Sequence, residues 1–246
     1  MEELEFYERL NDRLTIIHRR DATPTTLDAL LLAAFLPSVC GRTCELGAGG
    51  GIISLLAAAR GRIADGVLLE REPILAALAA RNIENNGLAN LLHAECADVR
   101  DFRDTDRFDT VLTNPPYRRA NDGRPAAHPL TDVARYERAG TVTDFCLAAA
   151  RMLHKDGRFY IVFPTRRQGE LFAALRHAEL HPHRKVTAYP YEGGTPKLFL
   201  TEAGFTETAI SRERIVLARE CGGAPSDAAE ALYAHGQLLT EGDEND

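Results

Sequence analysis

No apolar run in this chain approaches the roughly 18–20 residues a helix needs to cross a bilayer. The start, Met1-Glu2-Glu3-Leu4-Glu5, lacks the basic residues and apolar centre of a secretory signal. There is no excess of positive charge either. The formal net charge is −7. Four acids sit in the last six residues, so the body is only about three charges negative. That excludes a global basic field and strong nonspecific nucleic-acid binding, and leaves room for a local basic face. The five cysteines (Cys40, Cys44, Cys96, Cys146, Cys221) are scattered. No second pair or histidine cluster completes a zinc site. They read as reduced thiols of a cytoplasmic protein, with no metal and no membrane expected.

What is present is ordinary globular material. Of 246 residues, 45% are hydrophobic and 26% charged, ample for a core. Residues 1–24 predict a polar helix followed by an extended segment at 14–18. Residues 25–36 predict a helix opened by a Thr25–Asp28 capping box and stopped by Pro37. Short apolar runs then alternate with longer amphipathic ones. Strands are expected at 39–46, 66–70, 91–96, 108–113 and 158–163. Helices are expected at 52–60, 73–85, 143–153 and 168–177. Further strands at 185–191, 198–202 and 210–218 and a short helix at 227–235 follow. Residues 118–140 are polar and without period; a loop of that length is functional or mobile. The alternation argues for a doubly wound, mostly parallel α/β sheet.

The first strand of that alternation ends in Cys44-Glu45-Leu46-Gly47-Ala48-Gly49-Gly50-Gly51. Clustered glycines between a strand and a helix let a ligand approach the backbone. The dinucleotide spacing would need a third glycine where Ile52 stands. Glu45, two residues before Gly47, would repel a pyrophosphate and favour a cation. A sulfonium or α-amino group fits better, which points to S-adenosylmethionine rather than NAD. Glu70 ends the next strand, where ribose hydroxyls are gripped in nucleoside-binding folds. Asp98 follows the third strand by two residues, where a carboxylate can accept the hydrogens of an adenine N6. The bland alternatives are a structural turn, a solvated acid and a turn-forming Asp. Their coincidence at successive strand ends favours a site.

The fourth strand runs into Asn114-Pro115-Pro116-Tyr117. Two prolines cannot continue a central strand, because they offer no N–H. The chain must leave as a stiff extended loop. That loop carries an amide, exposed carbonyls and an aromatic ring. Such a set can hold a planar group bearing an NH₂, a nucleobase or a side-chain amide.

In that order, Glu45-x-Gly47-x-Gly49, Glu70, Asp98 and Asn114-Pro115-Pro116-Tyr117 resemble the class I S-adenosylmethionine-dependent methyltransferases that act on amino groups. Within them the chain most resembles the bacterial tRNA1(Val) adenine-37 N6-methyltransferase family. Residues 27–35 (LDALLLAAF) and 81–88 (RNIENNGL) support this, and the similarity covers most of residues 14–235. The resemblance implies a Rossmann-like, seven-stranded sheet. It implies an N-terminal extension at 1–24, a methyltransferase domain at 25–240 and an acidic disordered tail at 241–246. It further implies Glu45, Gly47, Gly49, Gly51, Glu70, Asp98 and Asn114 as cofactor-binding residues. Asn114, Pro115 and Tyr117 are implied as catalytic, with Tyr117 stacked on the base.

A tRNA partner would need a basic rim. Residues 115–140 hold five arginines against three acids. Residues 165–185 hold Arg166, Arg167, Arg176, Arg184 and Lys185 against two acids. Arg118, Arg119, Arg124, Arg166, Arg167, Arg184 and Lys185 are the expected rim around a monomer's pocket. The rival is glutamine N5-methylation of a protein, which uses a similar loop. Its family carries a helical N-terminal domain, for which about 40 residues before the first strand are too few.

Overall fold

The apolar runs assemble into one sheet in the computed structural model, which describes residues 4–10, 12–22, 25–104, 106–117 and 140–242. After a hairpin of β1 (Glu5–Arg9) and β2 (Thr15–Arg19) come β3 (Arg42–Leu46), β4 (Asp65–Glu70), β5 (Leu92–Cys96), β6 (Phe108–Thr113) and β7 (Leu153–Pro164). Then follow β8 (His181–Tyr189), β9 (Leu198–Gly204), β10 (Ser211–Val216) and β11 (Glu241–Gly242). The sheet order is β11-β10-β8-β9-β7-β6-β3-β4-β5. The strands from β3 to β7 pair in parallel, and β9 runs antiparallel between β7 and β8. Eight of these nine strands, β3 to β10, fall where strands were expected, one more than the seven that the resemblance implies. β11 was not expected: the first two residues of the expected tail pair with β10 at one edge.

The parallel strands are apolar on both faces, as strands covered twice must be. Leu68, Leu112, Tyr160 and Val162 face one layer, with α1 (Leu27–Phe35), α2 (Ile52–Ala59), α3 (Pro73–Asn85) and α6 (Asp227–His235). Their neighbours Leu69, Val111, Phe159 and Phe163 face α4 (Val142–Met152) and α5 (Gln168–His177). Local signals set the helix ends. Pro73 opens α3, and Gly87, at φ +66°, follows its end. Thr141 and Asp144 form a reciprocal capping box on α4. Arg62 holds the end of α1 by donating to the carbonyls of Ala33, Ala34 and Leu36.

Two N-terminal expectations are corrected. Residues 1–24 form no helix among those described, although the acidic and basic residues of that stretch favour one. Pairing with β2, the stack of Phe6 on His18 and the Arg81–Glu5 ion pair outweigh propensity. The Thr25–Asp28 capping box is absent. Thr26 is the N-cap, the Thr25 hydroxyl donates to Glu8, and Asp28 bonds elsewhere. Among the described residues, no helix is long and apolar enough to cross a membrane.

The hairpin is docked by one buried amide. Asn82, fully buried on α3, accepts from Ile17 N at 2.7 Å and donates to Ile17 O at 3.2 Å and Gly50 O at 3.0 Å. Asn86 repeats the clasp at Thr15, accepting from its N–H and donating to its carbonyl, both at 2.9 Å. Asn82→Ala strips partners from three backbone groups and should destabilise the fold by about 2–4 kcal/mol. Urea unfolding checks the figure, and amide exchange at Ile17 should speed up with it.

Candidate active site

The strand order reverses between β3 and β6: β4 and β5 lie on one side of β3, β6 and β7 on the other. At such a switch point the connections depart to opposite faces and leave a crevice beyond the strand ends. Leu46 pairs with Thr113 there, and the Thr113 hydroxyl donates to the Leu46 carbonyl at 2.8 Å. Their successors, Gly47 and Asn114, therefore leave the sheet side by side, about one strand spacing of 4.8 Å apart. Leu69 is level with Leu46 and Glu70 with Cys96, so the ends of β4 and β5 continue the same rim.

The glycine turn is built for close approach. Gly47, Gly49 and Gly51 all have positive φ, +68°, +56° and +81°, which side chains avoid. A Cβ on Gly51 would lie 2.7 Å from Leu68, whereas one on Gly49 meets no atom within 4 Å. The turn is thus packed tightly beneath and open at Gly49.

The three expected acids sit at the rim in different states. Glu45 is buried behind the turn, where its Oε2 accepts from Ser54 N at 3.0 Å and Ser54 Oγ at 2.5 Å. It anchors the first turn of α2, and burial lifts its carboxyl to about 7 despite those bonds. Glu70 accepts from Gly49 N at 2.8 Å and Glu72 N at 2.9 Å, so it shapes the turn directly. Burial raises its pKa as well. Asp98 is held by both Arg100 guanidinium and backbone, with Nε at 2.9 Å, and the Arg100 bond keeps its carboxyl below the usual range. Glu70 and Asp98 offer carboxylate oxygens at the rim, Asp98 with Arg100 and Arg71 beside it. Such acceptors fit a ligand carrying hydroxyl and amino donors, as S-adenosylmethionine does.

On the other side of the crevice, the side-chain oxygen of Asn114 accepts from the Tyr117 hydroxyl, which also lies 3.0 Å from Asp28 Oδ2. The Tyr117 ring meets Phe163 edge-on at 5.9 Å, and its carbonyl accepts from Arg167 Nη1 at 2.7 Å. Burial, with Asp28 beside it, holds the phenol pKa well above normal. Asp28 and Asn82 contact these elements without having been assigned to the site from the sequence, and Arg167 was expected in the basic rim. Asn82 had a readable signal, since it shares the apolar face of α3 with Leu75 and Ala79. Among the described residues no group of three His, Cys, Asp or Glu is placed to hold a metal.

The expected basic rim needs correction. Arg118, Arg119 and Arg124 lie outside the described residues. Arg166 is exposed just after β7. Arg167 is buried, bonded to Glu170 and to the Tyr117 carbonyl, so it clamps the loop. Arg184 pairs with Glu213 through two 2.7 Å bonds and lies over the Phe35 ring. Lys185 is buried over Phe199. Charge counts along the chain miss such pairings, because partners come from other strands.

A family model described as the methyltransferase small domain matches residues 26–179. The chain is 27% identical over 207 residues to a tRNA1(Val) (adenine(37)-N6)-methyltransferase of Bacteroides thetaiotaomicron, covering 83% of this chain and 86% of that one. It is 32% identical over 200 residues to the protein of the same name from Shigella sonnei, covering 73% and 80%. In structure it is similar to a "predicted O-methyltransferase" of Agrobacterium tumefaciens, with TM-score 0.67 at 20% identity over 86% of this chain and 97% of that one.

Glu45 makes stability depend on pH in a definite direction. Its folded pKa, about 7, lies above the unfolded value, so the native state binds the extra proton between them. Its contribution therefore falls as pH rises from the unfolded pKa through about 7. Glu45→Gln cannot take up that charge, so its stability relative to the parent should rise over this window. Paired denaturant titrations across pH 4–8 check this; parallel curves would contradict it.

Proposed function

Because this chain belongs to the methyltransferase small domain family and uses S-adenosylmethionine, we propose that it methylates the N6 amine of an adenine in a tRNA anticodon loop. The observation that carries this reading is the exit of Asn114 beside the glycine turn, one strand away across the switch point. The names of the two relatives support the choice of tRNA adenine.

S-adenosylmethionine supplies an electrophilic methyl group on a sulfonium. On this reading Gly47, Gly49 and Gly51 give it backbone to lie against, Glu70 receives the ribose hydroxyls, and Asp98 accepts from its adenine. Glu45 acts one layer back, setting the first turn of α2 through Ser54. The target N6 is a weak nucleophile, because its lone pair is delocalised into the ring. The Asn114 oxygen and the Pro115 carbonyl each accept one N6 hydrogen. Held so, the amine can pyramidalise and aim its lone pair across the crevice. Tyr117 offers a ring for stacking, worth about 1–3 kcal/mol per base. No strong base is required, and the proton leaves after transfer. Catalysis is then positioning and preorganised hydrogen bonding. The base must be unstacked to enter, which costs least in a single-stranded loop.

Asn114→Ala should lower kcat by at least about 100-fold while calorimetry finds cofactor affinity retained. Equal loss of both would make the loop a cofactor or folding element. Incubation with labelled S-adenosylmethionine should place label in unmodified tRNA and not in release-factor protein. Label in the protein alone would favour the glutamine reading and sink the RNA one.

A further inference from the structure

Two acceptors compete for one proton on Tyr117. Asp28 Oδ2 lies 3.0 Å from the phenolic oxygen, and the Asn114 side-chain oxygen contacts it from the other side. A phenol donates one hydrogen bond at a time. While the proton points at Asn114, it takes one of that oxygen's two lone pairs and weakens and crowds it as an acceptor for an incoming substrate N–H. Once it points at Asp28, that oxygen is free.

The surroundings leave the ring little choice but to stay. Its edge-on contact with Phe163 and the Arg167 bond to its carbonyl fix ring and backbone. Arg167 is itself held by Glu170 at 2.7 Å. Asp28 stands in the first turn of α1, a helix buried at Ala29 and from Leu31 to Phe35. The smallest motion that changes the acceptor is that of the hydroxyl hydrogen, which needs only a rotation about the C–O bond. The raised phenol pKa keeps that hydrogen on oxygen at neutral pH.

We propose that Asp28 is a positioning residue for methyl transfer: it receives the Tyr117 hydroxyl and so frees the Asn114 oxygen for the substrate amine. The inference rests on the reading that Asn114 holds the reacting NH₂ group, and it holds whether that group is a base or a side-chain amide. It gives the loop a resting form, in which the amide oxygen is satisfied internally, and an open form, in which it faces the substrate.

The test is a double-mutant cycle. Asp28→Ala leaves Asn114 as the hydroxyl's remaining acceptor and should lower kcat by about tenfold, with S-adenosylmethionine affinity retained. Asp28→Asn keeps an accepting oxygen and should recover most of that loss. Adding Tyr117→Phe to Asp28→Ala removes the competing proton and should raise kcat above that of Asp28→Ala alone. A double variant as slow as Asp28→Ala, or slower, overturns the proposal, because a merely structural aspartate gains nothing when the hydroxyl is lost. Activity is read on whichever substrate, tRNA or release-factor protein, accepts the labelled methyl, so failure of the RNA reading stays separate. A second readout needs no substrate. In ligand-free protein with ¹³Cζ-labelled tyrosine, where the hydroxyl rests on Asn114, the Tyr117 resonance should move on Asn114→Ala, and an unmoved resonance overturns the proposal.

Discussion

Leu46 and Thr113 pair where the strand order changes direction, and the site depends on that pairing. Parallel neighbours end at the same height, so whatever follows each strand is delivered to the same rim. After β3 comes a turn that only small residues can make; after β6 comes a loop that two prolines forbid from continuing the sheet. The Thr113 hydroxyl closes the junction through the Leu46 carbonyl, which the departing chain would otherwise leave without that partner. The backbone leaves no slack there: a slip of one residue in β6 would turn Thr113 to the opposite face.

Around this junction the protein keeps three carboxylates in three environments. Asp98 is half-buried and held by Arg100, which keeps its carboxyl below the usual range. Glu70 is nearly buried and compensated by backbone N–H groups. Glu45 is fully enclosed and has Ser54 as donor. The sequence of environments runs from the rim inward, and the cost of charge rises along it. The outer two lie at the ends of β4 and β5. The innermost one works on the helix behind the turn.

Much of the fold could be read from periodicity and punctuation. Pro73 and Gly87 bracket α3, and Pro115-Pro116 end β6, because these residues act through their own backbone. What escaped reading was decided by residues far apart in the chain. The first strand looked helical because its partner β2 is chosen by packing on α3 and not by local propensity. Asp28 looked like a capping acid because Thr25 precedes it at the right spacing, yet its bond goes to Tyr117, 89 positions away. Arg184 and Lys185 looked like a basic patch because Glu213 and Phe199 lie on neighbouring strands. Local signals thus located the glycine turn and the Asn114 loop, while the groups that hold them had to be seen in place.

A two-stranded hairpin has too little surface to stand alone in water. The one formed by β1 and β2 is kept by Asn82 and Asn86, whose amides reach out of α3 to its backbone. Asn82 also holds the carbonyl of Gly50, so the same side chain serves the N-terminal segment and the turn. β1 and β2 are therefore bonded, through these amides, to α3 and to the glycine turn. Cutting the chain after residue 24 would not trim an appendage. It would uncover a buried amide beside the glycine turn and hand its hydrogen bonds to solvent.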